Sequence, residues 1–193
     1  MRAVLALALV LPALSACQSA EEKRAAETGE IEVSDASSAE VSKLMKAAQA
    51  KRVMKPGQWR LELRVLSADT GNGPLAADDP KMVKLKGQER TTTACRGEKD
   101  LKPIDLEQLE KVAGECHFPR YSLVGGKLDA VIECKQPNGA TMHMTARGTT
   151  AADGFDVTLD QRSGTAGKPD YLALQLRASG TRLGECAGKA KGA

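Results

Sequence analysis

Cys116-His117-Phe118-Pro119-Arg120-Tyr121-Ser122-Leu123-Val124-Gly125-Gly126-Lys127-Leu128-Asp129-Ala130-Val131-Ile132-Glu133-Cys134 reads as a complete β-hairpin. Two β-favouring arms flank a Gly-Gly pair, the residue type that accepts the positive φ angles of a two-residue hairpin turn. On the first arm Cys116, Phe118 and Val124 share one face, and on the second Leu128, Ala130, Ile132 and Cys134 do. Folding about the glycines sets Cys116 nearly opposite Cys134, both on the apolar side, so a Cys116–Cys134 disulfide is expected. A slip of one residue would rotate one partner to the other face, so bridge and register are linked.

The period of two continues outward in both directions. Pro137-Asn138-Gly139 begins a turn, after which Met142, Met144 and Ala146 point inward. Asp153-Gly154 turns again and yields Phe155, Val157 and Leu159. Beyond a Gly-Pro loop from Ser163 to Asp170, the strand Tyr171 to Ala178 buries Leu172, Leu174 and Leu176. Upstream, Trp59, Leu61, Leu63 and Val65 alternate with Gln58, Arg60, Glu62 and Arg64. Ala68 to Pro80 has loop composition, and Lys81 to Ala94 is expected to be the next strand, ending in Thr91-Thr92-Thr93. Asp105-Leu106-Glu107-Gln108 fits a capping box, with Leu106, Leu109 and Val112 on one side of a short helix and Gly114 at its end. The fold class is therefore mainly β: an antiparallel up-and-down meander forming a curved sheet or partly closed barrel, with one or two short helices and two disulfides.

The start of the chain has a different character. Arg2 precedes an apolar run from Ala3 to Leu14, too short to span a bilayer, and Leu14-Ser15-Ala16-Cys17 closely resembles the bacterial lipobox. That resemblance implies a signal peptide over 1–16, a diacylglyceryl thioether on Cys17 and usually a further acyl group, such as palmitate, on its amine. Several chains, at about 0.8 kcal/mol per buried methylene, make release from a membrane slow. The mature protein is thus expected in the cell envelope, lipid-anchored and facing the periplasm. Gln18 and Ser19, with no aspartate after the cysteine, resemble the pattern of outer-membrane sorting.

Residues 17–55 are expected to link this anchor to a β domain over 56–187, with 188–193 as a flexible tail. Seven acids against two bases lie between Ala20 and Glu40, which reads as a disordered, solvated spacer. Ser37-Ser38-Ala39-Glu40 fits a capping box, and Val41, Leu44, Met45 and Ala48 recur at helical spacing, so a helix is expected from about Ala39 to Arg52. It either packs on the domain or spaces it from the membrane, its basic face being the alternative contact for anionic headgroups. A spacer of this length would have a reach of tens of ångströms.

With Cys17 taken by lipid, Cys95, Cys116, Cys134 and Cys186 remain, an even number that permits three pairings. Pairing Cys116 with Cys134 leaves Cys95 with Cys186, a bridge that ties an early strand to the end of the last and favours a closed or nearly closed sheet. A four-thiolate zinc site is disfavoured because no Cys-x-x-Cys knuckle is present, and no metal or cofactor is expected.

Pro56-Gly57-Gln58-Trp59, Cys95 before a short helix, Cys116 and Cys134 across a glycine turn, and Gly180-Thr181-Arg182-Leu183-Gly184-Glu185-Cys186 together resemble the domain of unknown function 3617 family of exported proteobacterial proteins, from about Lys55 to Cys186. The resemblance implies an exported, often lipid-anchored, cysteine-bridged β domain. It implies no activity and no site residue.

Nothing in the chain assembles a catalytic set. His117 and His143 fall by alternation on the wet face, and Ser163-Gly164-Thr165 lacks the strand-to-helix setting of a hydrolase nucleophile. Asp129 and Glu133 read as solvated charges, while Met142 and Met144 read as core before they read as a lipid pocket. The formal charge of +3 is interspersed, and aromatics make up 3% of the chain, so neither a phosphate-tracking stripe nor a stacking platform for nucleic acid is available. The expected function is a non-catalytic module binding an apolar ligand or an envelope component. The alternative is a structural lipoprotein that presents its outer surface to envelope proteins.

Overall fold

The computed structural model describes residues 18–51, 54–97, 100–101, 106–137 and 139–186. Helix α1 (Ala20–Thr28), strand β1 (Ile31–Ser37) and helix α2 (Ser38–Ala47), extended by a 3-10 turn (Ala48–Lys51), precede the long strand β2 (Gly57–Asp69). Helix α3 (Pro80–Lys86), strand β3 (Arg90–Arg96) and helix α4 (Leu106–Ala113) follow. The chain then runs through β4 (Glu115–Val124), β5 (Lys127–Lys135), β6 (Thr141–Ala151), β7 (Gly154–Ser163) and β8 (Leu172–Gly184). All eight strands form one sheet in the order β1-β4-β5-β6-β7-β8-β2-β3, with every pairing antiparallel.

The sheet is mainly a meander, as its alternation and turn residues require, and it is open. β1 and β3 are its two edges. The Cys95–Cys186 bridge forms, with Cα atoms 5.5 Å apart, yet it does not bring distant edges together. β3 and β8 flank β2, so the bridge crosses a single strand at one side of the sheet. A separation of 91 residues along the chain is a short step in space. Among the described residues four short helices, rather than one or two, lie against the sheet.

The opening hairpin forms with Cys116 facing Cys134 and a disulfide between them, Cα atoms 4.0 Å apart. Gly125 (φ 56°) and Gly126 (φ 74°) make its turn, and a Cβ at Gly126 would lie 2.4 Å from the Thr150 carbonyl oxygen. One correction concerns the faces of β4. His117 faces Glu133 and Arg120 faces Val131, so β4 carries one extra residue beside Pro119, which has no N–H for the ladder. The bulge reverses the phase: Tyr121 turns inward and is fully buried, while Val124 is exposed. On the neighbouring strand Asp35, between Ser34 opposite Arg120 and Ala36 opposite Phe118, takes a φ of +52°, a conformation that aspartate tolerates better than most residues.

The larger correction concerns the acidic stretch. Ala20 to Glu40 is not a disordered spacer. Ser19 caps α1 in a capping box with Glu22, whose N–H donates to Ser19 Oγ at 3.2 Å. Gly29 ends the helix at φ +78°, and β1 then pairs with β4 from Ile31 opposite Leu123 to Ser37 opposite His117. α2 begins at the expected box, Ser37 Oγ accepting from the Glu40 N–H at 3.2 Å. Its stripe of Val41, Leu44, Met45 and Ala48 is buried in one cluster with Ala25, Ile31, Phe118, Tyr121 and Ile132. Apart from Glu22 the acids lie toward the solvent side of these elements, and apolar residues spaced for helix and strand supply what a disordered chain would lack.

Two smaller differences follow the same logic. Lys81 to Ala94 is not one strand: Asp79 accepts from the Lys81 N–H at 2.8 Å and Pro80 occupies the first turn, so a helix forms before β3 begins at Arg90. On α4 the inward residues are Leu106, Leu109 and Ala113, and Val112 is 76% exposed.

Glu22 is buried beneath α2, where Lys43 Nζ donates to its carboxylate at 2.9 Å and the Ser19 N–H donates at 3.2 Å. The Lys43 ammonium holds the Glu22 carboxyl below the usual range against the opposing cost of burial. Ser37 does the same for Glu40 through its backbone N–H, and Arg177 for Asp156. A carboxyl whose folded pKa is depressed stabilises the fold above its unfolded pKa, and that contribution is lost as pH falls through the folded value. The urea midpoint should therefore drop once pH falls below about 4. Lys43→Met should lower the midpoint at neutral pH and shrink its difference from the acidic value, which paired urea titrations would read.

Candidate functional site

The inner face of the sheet is covered unevenly. Over β1 and β4 to β6 it is sealed by α1, α2 and α4, and Met142 and Met144 are core residues there rather than pocket lining. Toward β8, β2 and β3 the cover is thinner. Met82 of α3 packs on Val65 and Ala68, and Met54 and Leu101 pack on Trp59. Between these patches Leu61 and Leu63 are only half-buried, as are Leu172, Leu174 and Leu176, which alternation had assigned to a dry face.

Cross-strand register places the polar residues of this region. Arg90 lies opposite Leu63, Thr92 opposite Leu61, Ala94 opposite Trp59 and Arg96 opposite Gly57. Directly opposed residues share a face, so Arg90, Thr92, Ala94 and Arg96 all belong to the inner side of β3. Cys95 belongs to the outer side.

Two depressions open here. One, of about 420 Å3, is lined by Leu61, Leu63, Arg90, Thr92, Arg96 and Phe155 among others. The second, of about 400 Å3, has Met54, Trp59, Asp100, Leu101 and Gln108 along its walls. Both include Leu61, Arg90, Arg96 and Phe155, so they form one trough across the end of the sheet.

Its aromatic floor is held in place from several sides. Trp59 is fully buried and its indole N–H donates to the Lys55 carbonyl at 3.1 Å. The Phe155 ring lies 6.3 Å from it, centroid to centroid. That ring rests directly on Gly180, where a Cβ would stand 2.2 Å from Phe155 Cε1. A glycine at 180 is what lets the phenyl ring lie flat on the strand.

The outer face, by contrast, pairs many of its charges across strands. Asp129 accepts from Arg120 at 2.9 Å and lies 3.6 Å from Arg147. Asp156 holds Arg177, and Arg64 contacts Glu62 at 3.3 Å and Glu89 at 3.6 Å. His117 and His143 lie on this exposed side, 3.8 Å from Asp35 and 3.4 Å from Glu133 respectively. Among the described residues no group of three or more His, Cys, Asp or Glu side chains is placed to hold a metal ion.

Of the residues singled out from sequence, Cys95 with Cys186 and Cys116 with Cys134 are brought together as disulfides. Cys17 and the 1–16 segment lie outside the described residues. Among those residues no helix is long and apolar enough to cross a membrane. The trough was not foreseen, although its signal is present: from Arg90 to Arg96 the even-numbered residues share one face, which puts both arginines on the side opposite Cys95.

Fold and disulfides together define a class of protein, a cysteine-braced antiparallel β meander with one partly open face. The family model described as protein of unknown function (DUF3617) matches residues 54–186, more than half of the chain, and the chain belongs to this family. No curated protein and no solved structure matches it.

Proposed function

We propose that this protein is a lipid-anchored, non-catalytic module of the cell envelope whose inner sheet face binds an apolar ligand. The observation that carries this reading is the trough over Leu61, Leu63, Trp59 and Phe155, which leaves apolar surface open at one end of a sheet that is sealed over β1 and β4 to β6. Its two depressions fall within the size range of small-molecule sites, and their walls set Leu61, Leu63 and Phe155 beside Arg90, Thr92 and Arg96. The lipobox-like segment ending at Cys17 supplies the anchor. The alternative, a lipoprotein that works through its outer surface, draws less support, because many charges of that surface are satisfied by one another.

Native mass spectrometry of the protein taken from its own envelope tests the binding reading. A co-purifying lipid or other apolar adduct, lost when bulky side chains replace Ala178 and Leu63 in the trough, is the expected result. A clean protein mass that takes up no acyl compound in titration would sink it. For the anchor, incorporation of labelled palmitate that disappears in Cys17→Ser is the matching measurement.

A further inference from the structure

We infer that the ligand of the trough is an anionic single-chain amphiphile, with an acyl chain against Leu61, Leu63 and Phe155 and a carboxylate or phosphate head bound by Arg90 and Arg96; this rests on the binding reading above. The juxtaposition is unusual within the sheet. Inward positions of β2, β7 and β8 around the trough carry apolar, small or uncharged side chains apart from Arg182, which lies opposite Trp59. β3 places two guanidinium groups on that same face, opposite Leu63 and Gly57. Both arginines line both depressions.

Neither the Arg90 nor the Arg96 guanidinium has a hydrogen-bond or ion-pair partner among the described residues. Nearby Arg182 shows what a structural arginine does here: it donates to the Pro56 carbonyl at 2.8 Å and pairs with Glu185. Among the described residues two carboxylates also border the trough. Glu62 is engaged by Arg64 at 3.3 Å, and Asp100 accepts from the Gly97 N–H at 3.0 Å, and among the described residues neither forms an ion pair with Arg90 or Arg96. A guanidinium offers a planar fork that matches a carboxylate or phosphate bidentately. Next to leucine and phenylalanine, that fork suits a molecule with a charged head and an apolar chain.

A competing account is that arginines pointing inward on an edge strand block pairing with another chain. The two accounts part under titration. Sodium laurate, lysophosphatidylglycerol and uncharged monolaurin would each be titrated calorimetrically, below their micelle concentrations, into the full mature chain carrying Cys17→Ser to avoid detergent. We expect the two anions to bind about tenfold more tightly than monolaurin, in line with charge-assisted hydrogen bonds. Arg90→Gln with Arg96→Gln should bring laurate down to the monolaurin level. Arg90→Lys with Arg96→Lys should retain part of the preference. Raising salt from about 0.1 to about 1 M should weaken the anions alone.

A higher affinity for laurate than for lysophosphatidylglycerol, or the reverse, assigns the head as carboxylate or phosphate. If laurate and monolaurin bind equally, and neither salt nor the glutamine variant matters, the anion inference is overturned while the apolar-ligand reading survives. If none of the three binds, both fall. If the glutamine variant self-associates with unchanged laurate affinity, the arginines guard the edge and the inference is wrong. Should that variant fail to fold, the monolaurin comparison and the salt series on the Arg90, Arg96 protein still decide the matter.

Discussion

A chain shortened to begin at Met54, where the family match begins, should not unfold cooperatively and should aggregate from dilute solution. The reason lies in what residues 18–51 cover. Ile31, Val41, Leu44 and Met45 are each 5% exposed or less, and they pack on Phe118, Tyr121 and Ile132. Fully burying side chains of this size contributes roughly 1.5–3 kcal/mol each. Four of them amount to about 6–12 kcal/mol, comparable with the whole net stability of a typical domain. Their loss would also strip β4 of its neighbour and leave an unpaired edge beside an apolar face. Urea titration by near-ultraviolet circular dichroism would read the outcome. A sharp transition with an unchanged midpoint would show that α1, β1 and α2 are accessories to the core.

Replacing Cys95 and Cys186 together by serine should lower stability by about 4–5 kcal/mol on the chain-entropy estimate for a loop of 91 residues. The same estimate for the 18-residue Cys116–Cys134 loop is about 3 kcal/mol. The first pair gives the cleaner measurement. Cys95 is exposed and Cys186 half-exposed, so serine there buries no new polar group, whereas Cys134 is fully buried. β3 is an edge strand held by β2 alone, and the bridge fixes the end of it that carries Arg96. Hydrogen exchange should accordingly rise first in Thr91 to Arg96 of the double serine variant, before the rest of the sheet. Uniform loss of protection, or a midpoint within experimental error of the bridged protein, would contradict this account.

The C-terminal half of the fold was legible because each of its turns is marked. Gly125-Gly126 and Asp153-Gly154 separate strands whose apolar residues alternate without interruption, and the cysteines of the first hairpin fall in register with that alternation. Tyr121 and Val124 exchanged faces because a bulge inserts a residue that alternation does not count; Pro119 was its visible mark. β1 escaped notice for a different reason. Ile31 and Val33 offer only two alternating apolar residues amid acids, and the strand exists because β4 supplies its partner, a non-local fact. The box at Ser19 and Glu22 was readable and matches the one at Ser37 and Glu40. The net acidity of the stretch outweighed it. The trough was hidden more deeply, since it depends on where α2 and α3 stop covering the sheet, and no local pattern encodes the limit of a neighbour's cover.

The cap at Ser19 has a consequence for how the anchored domain would meet the bilayer. Only Gln18 and Ser19 separate Cys17 from Ala20, the first residue of α1. Three residue steps of extended chain span about 10 Å. On the proposed anchor the domain would therefore stand on the headgroups like a stud on a plate, with no leash to sweep the periplasm. Its tilt would be restricted from the first helical turn onward, and any amphiphile entering the trough would have to reach it from the membrane that holds the protein or from solvent directly above.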